Sequence, residues 1–276
     1  MTSIIIPAHN EENVIERCLQ PFLNNIHDKA FEVIVVCNGC TDQTARIVSE
    51  LSDAFICLET DKASKTNALN MGDQVARSFP RFYLDADVLI SLETVYALSA
   101  SLNGSYLAVA PEVKMNLGGA TWLVKAYYDA WLSLPYCKAG MIGAGVYALS
   151  ESGRSRFDLF PELIADDGYV RCLFNESERG VIPGFYSVVT APKGVSGLVK
   201  IKTRSRLGRY QLKQKYPEIM KNEKKNYSGA MGEVMFNIKL WPKMFIYLVI
   251  NLVTRIRALQ QMKNNMSTWE RDESSR

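Results

Sequence analysis

The sequence predicts an α/β fold with a mostly parallel sheet, helices on both sheet faces, and a helical C-terminal extension. Short apolar runs alternate with helical segments over the first 90 residues, which is the pattern of βαβ crossovers. These runs are uninterrupted, as in strands that are covered on both faces. A polar group follows each run, and ligands of parallel sheets bind beyond the carboxyl ends of the strands. The sequence therefore predicts a site at one edge of the sheet.

The first 90 residues contain signals for four strands and three helices. The predicted strands are Ser3–Pro7, Glu32–Val36, Phe55–Leu58 and Phe82–Leu84. Asn10 precedes two acidic residues and is the expected N-cap of the first helix, in which Pro21 should cause a kink or an end. Thr41 or Asp42 is expected to cap the second helix, and Ser64 the third.

Beyond residue 90 the alternation loosens. A helix is predicted over Gly119–Leu134 and a strand over Val146–Leu149. Trp122, Tyr127 and Trp131 share one face of that helix; they fit a platform on which a ligand stacks, although such a stripe is more often core. We predict one domain over residues 1–200, with halves 1–90 and 91–200, followed by a basic, mainly helical extension over 201–276.

Composition is that of a folded globular protein. Of the 276 residues, 47% are hydrophobic and 22% are charged, which excludes disordered, collagenous and coiled-coil classes. Six cysteines in this length do not make a secreted disulfide framework, and no signal peptide is apparent, so we expect a reducing cytoplasm. Cys37 and Cys40 form a C-x-x-C without a second pair, for which inert packing is the expected role.

Charge is distributed unevenly along the chain. Residues 1–192 contain 14 Lys and Arg against 23 Asp and Glu, whereas residues 193–263 contain 16 against 3. A basic region of this kind favours an anionic ligand or surface, although a solvated basic face explains it equally well.

The apolar segment Trp241–Leu259 has two interpretations. Its core, Phe245–Val253, is too short to span a bilayer. Basic flanking residues would suit a helix that lies on a membrane surface; these are Lys239, Lys243, Arg255 and Arg257. The i, i+3, i+4, i+7 spacing of its apolar residues would equally suit a helix that packs back onto the domain.

Asp85 and Asp87 follow the fourth predicted strand. Carboxylates at positions i and i+2 of an extended segment point to the same side and can reach one cation. Hard oxygen ligands suit Mg²⁺ or Mn²⁺, and such ions usually bridge to substrate phosphates. The pair therefore predicts a Mn²⁺ or Mg²⁺ site.

Four segments in order resemble family-2 glycosyltransferases, which have the GT-A fold. These segments are Ile4–Glu12, Val35–Asp42, Lys65–Asn70 and Leu84–Asp87. The last resembles the family's metal motif. Beyond residue 90 the resemblance rests on Gly143–Gly145 and on Asp166-Asp167.

The resemblance implies a donor site for a nucleotide-diphospho-sugar. Pro7, Ala8 and Glu11 would line the nucleotide pocket, and Asp85 and Asp87 would hold the metal and the diphosphate. The wider donor-binding set taken from the matching motifs adds Asn10, Asn38, Lys65 and Ala86. Asn38 stands where the family often has an acid that contacts the base; an amide still both donates and accepts.

The basic run after residue 200 is expected to bind the leaving diphosphate. Arg204 and Arg206 are the candidates, since the planar guanidinium binds phosphate through two hydrogen bonds. The Gln-x-x-Arg-Trp motif of many processive family members is absent, which argues against a polymer synthase.

Asp166 and Asp167 are the candidate catalytic residues. In an inverting transfer, one carboxylate takes the proton of the acceptor hydroxyl on the face opposite the leaving diphosphate. Asp167 is preferred and Asp166 remains open, because the family usually has Glu-Asp here. A helix N-cap is the simpler alternative for the pair.

We therefore predict an inverting, metal-dependent glycosyltransferase, with a UDP-sugar favoured as donor and a glycan or lipid-linked acceptor, in cell-envelope or polysaccharide biosynthesis. One alternative is a transferase to polyprenyl phosphate at the cytoplasmic face of the membrane, with peripheral contact through residues 241–259. Another is a nucleic-acid-binding protein that uses residues 193–263. The first prediction involves no nucleic acid.

Overall fold

The computed structural model describes residues 1–25, 30–104, 106–134, 137, 145–223 and 240–263. The strands in this part of the chain are β1 Thr2–Ala8, β2 Phe31–Asn38, β3 Phe55–Thr60, β4 Arg81–Leu84, β5 Val88–Ile90, β6 Ala108–Asn116, β7 Val146–Leu149 and β8 Arg179–Thr190. The helices are α1 Ile15–Leu23, α2 Thr44–Leu51, α3 Lys65–Val75, α4 Leu92–Ser101, α5 Trp122–Leu132, α6 Glu151–Arg154, α7 Asp166–Cys172, α8 Val195–Lys215 and α9 Trp241–Lys263, with a 3₁₀ turn over Ile219–Asn222. This order confirms the predicted alternation of strands and helices in the first third of the chain.

Within the described residues, the eight strands form one sheet in the order β3-β2-β1-β4-β7-β6-β8-β5. The first four strands in this order are parallel, with Ala8 of β1 opposite Cys37 of β2. β7 runs antiparallel to β4 and β6, and β5 runs antiparallel to β8 at the edge. The four parallel strands confirm the predicted α/β fold. The two antiparallel strands, β7 and β5, are among the other four strands of the sheet order.

Both faces of the sheet are buried, as the uninterrupted apolar strands predict. Ile4 and Ile6 of β1 pack in one core cluster with α1, α2 and α4. Ile5 points to the other face and packs with α3, α7 and α8. This alternation follows from the period of two along a strand, and it fixes the helices on either side.

Two helices begin later than predicted. α1 begins at Ile15, and Asn10 is not its cap: Asn10 has a φ of 52° and its Oδ1 accepts a hydrogen bond from the Thr41 amide at 2.8 Å. α2 begins at Thr44 rather than just after Asp42, whose Oδ1 accepts from the Thr44 amide at 3.0 Å. Asn10 thus binds a neighbouring loop, whereas Asp42 binds the first residue of its own helix from two positions before it.

Other local predictions hold. Ser64 caps α3, since its side chain accepts a hydrogen bond from the Asn67 amide at 3.3 Å. Pro21 lies inside α1, which ends two residues later at Leu23. Gly143, Ala144 and Lys239, which the sequence predictions used, lie outside the described residues.

The described residues of the C-terminal extension are mainly helical, as predicted. α8 and α9 pack against α5 around a third apolar cluster that includes Val124, Leu198 and Ile250. Residue 200, the predicted end of the first domain, lies inside α8. None of the helices in the described ranges is both long and apolar enough to cross a membrane.

Candidate active site

A cavity of about 510 Å³ opens beyond the carboxyl end of β4, between the sheet, α7 and α8. Its lining is rich in charged side chains from several elements. The charged lining residues are Lys65, Asp85, Asp87, Asp166, Asp167, Arg171, Lys202, Arg204, Arg206, Arg209 and Glu223. The cavity lies at the edge where the sequence predicts a site.

Asp85 and Asp87 stand in the turn between β4 and β5. The Asp85 amide donates to the Gly145 carbonyl at 2.7 Å, and the Asp85 carbonyl accepts from the Val88 amide at 3.1 Å. Gly145 has a φ of 79°, and a Cβ built there would lie 2.3 Å from Val88 Cγ2. The close contact with a glycine therefore fixes the backbone that carries the two carboxylates.

Lys65 joins two of the candidate acids. It is the first residue of α3, and its Nζ lies 2.7 Å from Asp85 Oδ1 and 3.1 Å from Asp166 Oδ1. Burial alone would lower the pKa of this ammonium, but the carboxylates of Asp166 and Asp85 outweigh burial and raise the pKa above its usual value. Lys65 is therefore a fixed positive charge between β4 and α7.

Asp166 and Asp167 begin α7 and both line the cavity, but their surroundings differ. Asp166 is 3% exposed, and its Oδ2 has no hydrogen-bond partner among the described residues. Burial raises the pKa of Asp166 to about 6; Lys65 opposes this rise, while Asp167 and Asp85 add to it. Asp167 is only half-buried. The N-cap position is occupied by Ala165, so neither aspartate is the cap of this helix.

The candidates for nucleotide binding cluster at the ends of β1 and β2. The Asn38 side-chain amide donates to the Ala8 carbonyl at 2.7 Å, and the Glu11 amide donates to Thr44 Oγ1 at 2.7 Å. Pro7 lines the cavity, whereas Ala8, Asn10, Glu11, Asn38 and Ala86 are not among its lining residues. Apart from Pro7, the candidates at the ends of β1 and β2 thus lie beside the cavity, and Ala86 lies in the turn after β4.

Basic residues of α8 line the same cavity. Arg204 and Arg206 line the cavity, and Arg206 Nη2 donates to Asn251 Oδ1 of α9 at 2.8 Å. Arg206 Nε is buried without a hydrogen-bond partner among the described residues. Lys202 lies over the ring of Trp131, with its Nζ 4.5 Å from the centroid. This wall is suited to an anionic ligand.

The three aromatic residues predicted to share a helix face separate in the structure. Trp122 is 69% exposed, Tyr127 is buried, and Trp131 is half-buried beside Lys202. Only Tyr127 and Trp131 line the cavity. The helical stripe is thus partly core and partly cavity wall, with Trp122 apart from both.

The sequence analysis did not single out three polar lining residues, which are Arg171, Tyr147 and Glu223. Arg171 donates to Glu223 at 2.6 Å, Arg209 lies 3.2 Å from the same carboxylate, and Tyr147 adds a buried hydroxyl. Arg171 was detectable in principle, because it lies five residues after Asp166 on a short helix. No sequence pattern around Glu223 marks it as a site residue. It reaches the cavity because the chain folds back after α8 through the 3₁₀ turn Ile219–Asn222.

The donor chemistry at the turn after β4 bears on the predicted metal. No group of three or more His, Cys, Asp or Glu suited to a metal ion occurs among the residues the structure describes. Two carboxylates after β4 remain, which fits Mg²⁺ or Mn²⁺ sites in which substrate phosphates and water complete the coordination. The six cysteines are all free, and none of them joins such a group in the described ranges.

The model of the family described as "Glycosyl transferase family 2" matches residues 3–141. Glycosyltransferase AglE of Haloferax volcanii is 32% identical over 90 residues, covering 31% of this chain and 30% of that protein. Probable glycosyltransferase YdaM of Bacillus subtilis is 35% identical over 108 residues, covering 36% of this chain and 26% of that protein. The chain matches less than a third of the length of either relative.

Solved structures share the fold. A mannosyltransferase of Pyrobaculum calidifontis, in complex with GDP-Man and Mn²⁺, has a TM-score of 0.60 at 20% identity, covering 97% of this chain and 76% of that chain. Glucosyl-3-phosphoglycerate synthase of Mycobacterium tuberculosis, with Mn²⁺ and UDP-glucose, has a TM-score of 0.55 at 18% identity, covering 78% of each chain. At these identities the similarity shows the fold alone.

Proposed function

The chain belongs to glycosyl transferase family 2, and we propose that it is an inverting, metal-dependent enzyme. It would transfer a sugar from a nucleotide-diphospho-sugar, preferably a UDP-sugar, to a glycan or lipid-linked acceptor in cell-envelope biosynthesis. One observation carries the proposal. Lys65 holds Asp85 and Asp166 together at a cavity that Asp87, Asp167, Arg204 and Arg206 also line. Acids for a metal and for a proton therefore share one cavity with cations for a diphosphate.

The donor would lie with its nucleotide near the ends of β1 and β2. There Pro7, Ala8, Asn10, Glu11 and Asn38 are the candidate contacts. Mn²⁺ or Mg²⁺, held by Asp85 and Asp87, would neutralise charge on the leaving diphosphate. Ala86, between these carboxylates, is buried and keeps the turn close to the core.

Arg204 and Arg206 would bind the diphosphate from the α8 side. Guanidinium groups suit this role because their planar donors match phosphate oxygens and remain charged at any working pH. Arg206 is held in place by Asn251, so its orientation is largely set before the donor arrives. Such preorganised charge lowers the barrier as negative charge develops on the leaving group.

Asp167 would act as the general base. It takes the proton of the acceptor hydroxyl while that oxygen bonds to the anomeric carbon, and the carbon–oxygen bond to the diphosphate breaks on the opposite side. A base must reach the acceptor, and Asp167 is half-buried at the cavity whereas Asp166 is 3% exposed. Asp166 would instead position Lys65, whose Nζ is 3.1 Å away.

A thermal-shift panel tests the donor and the metal. UDP and GDP, each with and without Mn²⁺, are added to the full chain and to Asp87→Ala. A ligand present at ~100 times its dissociation constant adds about 2.7 kcal/mol to the free energy of unfolding. We expect stabilisation of the wild-type chain by UDP with Mn²⁺ and its loss in Asp87→Ala, with an unchanged melting temperature of the free protein. Equal stabilisation of both chains would refute the metal assignment.

A pair of isosteric variants tests the base. Asp167→Asn should lower turnover by about a hundredfold or more while nucleotide binding persists, because only proton transfer is removed. Asp166→Asn should perturb nucleotide binding and melting as well, because Lys65 loses a partner. Normal turnover in both variants would place the base elsewhere.

The nucleic-acid alternative is less well supported. Family membership, the paired carboxylates and the inward-facing arginines all favour a nucleotide-sugar site. Retention on heparin that is indifferent to UDP would favour the alternative.

A further inference from the structure

Helix α9 has an exposed apolar face. Thirteen large hydrophobic side chains of the described residues are exposed, and nine of them belong to this one helix. Its central members, called here the apolar face, are Phe245, Leu248, Leu252, Ile256 and Leu259. Their spacing of three and four residues places them on one side of the helix. Contiguous exposed apolar surface of this kind marks an interaction site.

The opposite side of α9 belongs to the protein. Ile250, Thr254 and Ala258 are buried, and Ile250 packs in the cluster with α5 and α8. Tyr247 and Asn251 line the active-site cavity. The helix is therefore docked on the domain by one side and leaves the apolar face outward along about 21 Å of its length.

The charge of this region identifies the partner. Helix α9 contains no acidic residue and has four basic ones, of which Lys243 pairs with Asp129 at 2.7 Å while Arg255 and Lys263 are exposed. Helix α8 has seven Lys and Arg and no acidic residue, but four of the seven, Lys202, Arg204, Arg206 and Arg209, line the active-site cavity. Arg255, which is exposed, lies beside the apolar face. A helix with large apolar residues on one side and only basic charges suits the interface of an anionic bilayer, with its axis in the membrane plane. A purely apolar partner surface would not require this excess of cations.

We propose that α9 docks the protein on an anionic lipid bilayer through the apolar face. The bilayer surface then lies within about one helix diameter, roughly 10–12 Å, of the cavity wall formed by Tyr247 and Asn251. A sugar acceptor anchored in the same leaflet would reach the cavity from that side. The inference of a lipid-linked acceptor depends on the glycosyl transfer proposed above, whereas the inference of lipid docking does not.

Vesicle flotation of the full chain tests the docking. The double variant Leu248→Gln/Leu252→Gln removes apolar contact from residues that are 59% and 58% exposed, so the fold should be preserved. Leu159→Gln is the matched control, because Leu159 is 60% exposed and lies outside α9. Vesicles are either phosphatidylcholine alone or a mixture with phosphatidylglycerol, at low and high salt.

We expect the wild-type chain and Leu159→Gln to float with the anionic vesicles at least tenfold more than with the neutral ones. High salt should reduce binding, because it screens the basic residues, and the double variant should bind at least tenfold less. Circular dichroism of each variant should remain unchanged. Absence of flotation by the wild-type chain, or equal flotation of the double variant, would overturn the proposal. It would also be overturned if the wild-type chain binds no lipid but forms a dimer that the double variant does not form.

Failure of the docking and failure of the proposed function can be told apart. UDP and Mn²⁺ should stabilise the double variant as much as the wild-type chain, because the apolar face is outside the donor site. Asp87→Ala should still float while it loses nucleotide binding. Flotation without nucleotide binding in the wild-type chain would leave the membrane surface in place and remove the transferase.

Discussion

Asp73 of α3 connects the two elements that carry Lys65 and Asp85, and replacing it is expected to destabilise the protein strongly. Its Oδ1 accepts from Arg81 Nη1 at 2.7 Å and from the Tyr83 hydroxyl at 2.9 Å, and its Oδ2 accepts from Arg154 Nε at 2.8 Å. The Asp73 side chain is 6% exposed, and the two arginines are 14% and 11% exposed. This carboxylate therefore neutralises two nearly buried cations.

The magnitude follows from this burial. Removing one partner of a buried ion pair costs about 3–5 kcal/mol, because the remaining charge is left uncompensated. Both arginines keep hydrogen bonds to backbone carbonyls, Arg81 to Ala76 and Arg154 to Phe157, so the lower end applies. Asp73→Asn should lower the free energy of unfolding by about 3 kcal/mol and the melting temperature by about 6–12 °C.

Urea unfolding and calorimetry measure this loss. Tyr83→Phe is the matched control, since it removes one neutral donor from the same carboxylate and should cost about 1 kcal/mol. Glu50→Gln breaks the exposed pair of Arg46 and Glu50, whose side chains are 65% and 64% exposed, and should change little. An Asp73→Asn protein as stable as Tyr83→Phe would refute the reasoning.

Two further predictions concern other parts of the site. Burial lowers the pKa of Lys202 to about 8 from its usual 10.5. Between pH 8 and pH 10.5 the Lys202 side chain therefore keeps its proton in the unfolded chain but has lost it in the folded protein. The free energy of unfolding should therefore rise with pH over this range. The stability of the wild-type chain relative to Lys202→Met, measured by urea unfolding, should therefore rise from about pH 7.5 to about pH 9.5; a constant relative stability would contradict this. Gly145→Ala should lower stability and turnover more than Gly184→Ala. Both glycines have a positive φ, but a Cβ at Gly145 would lie 2.3 Å from Val88 Cγ2, whereas a Cβ at Gly184 would have no atom within 4 Å. Equal losses would show that the contact with Val88 does not matter.

The site was predictable where its residues follow a strand in a local pattern. Asp85 and Asp87 follow β4, so the strand signal placed them at one edge of the sheet. Lys65 was predicted only from the segment Lys65–Asn70, which resembles a family motif. Asn10 shows the limit of local signals. Its side chain resembles a helix cap in sequence, yet it binds the Thr41 amide of a different loop, because that contact depends on how β1 and β2 pair.

The sequence by itself determined the alternating α/β order and the polar edge of the sheet. The reason is that strand and helix periodicities of apolar residues, and helix-capping side chains, depend on only a few neighbouring residues. Only the tertiary structure decided which of those residues meet. It placed Asp166 beside Lys65, 101 positions earlier by the numbering, and Glu223 between Arg171 and Arg209. It also resolved the two interpretations of Trp241–Leu259 in part: Ile250 packs on the domain while Leu248 and Leu252 face outward. These outcomes depend on long-range packing of helices against the sheet, for which a single sequence carries no local signal.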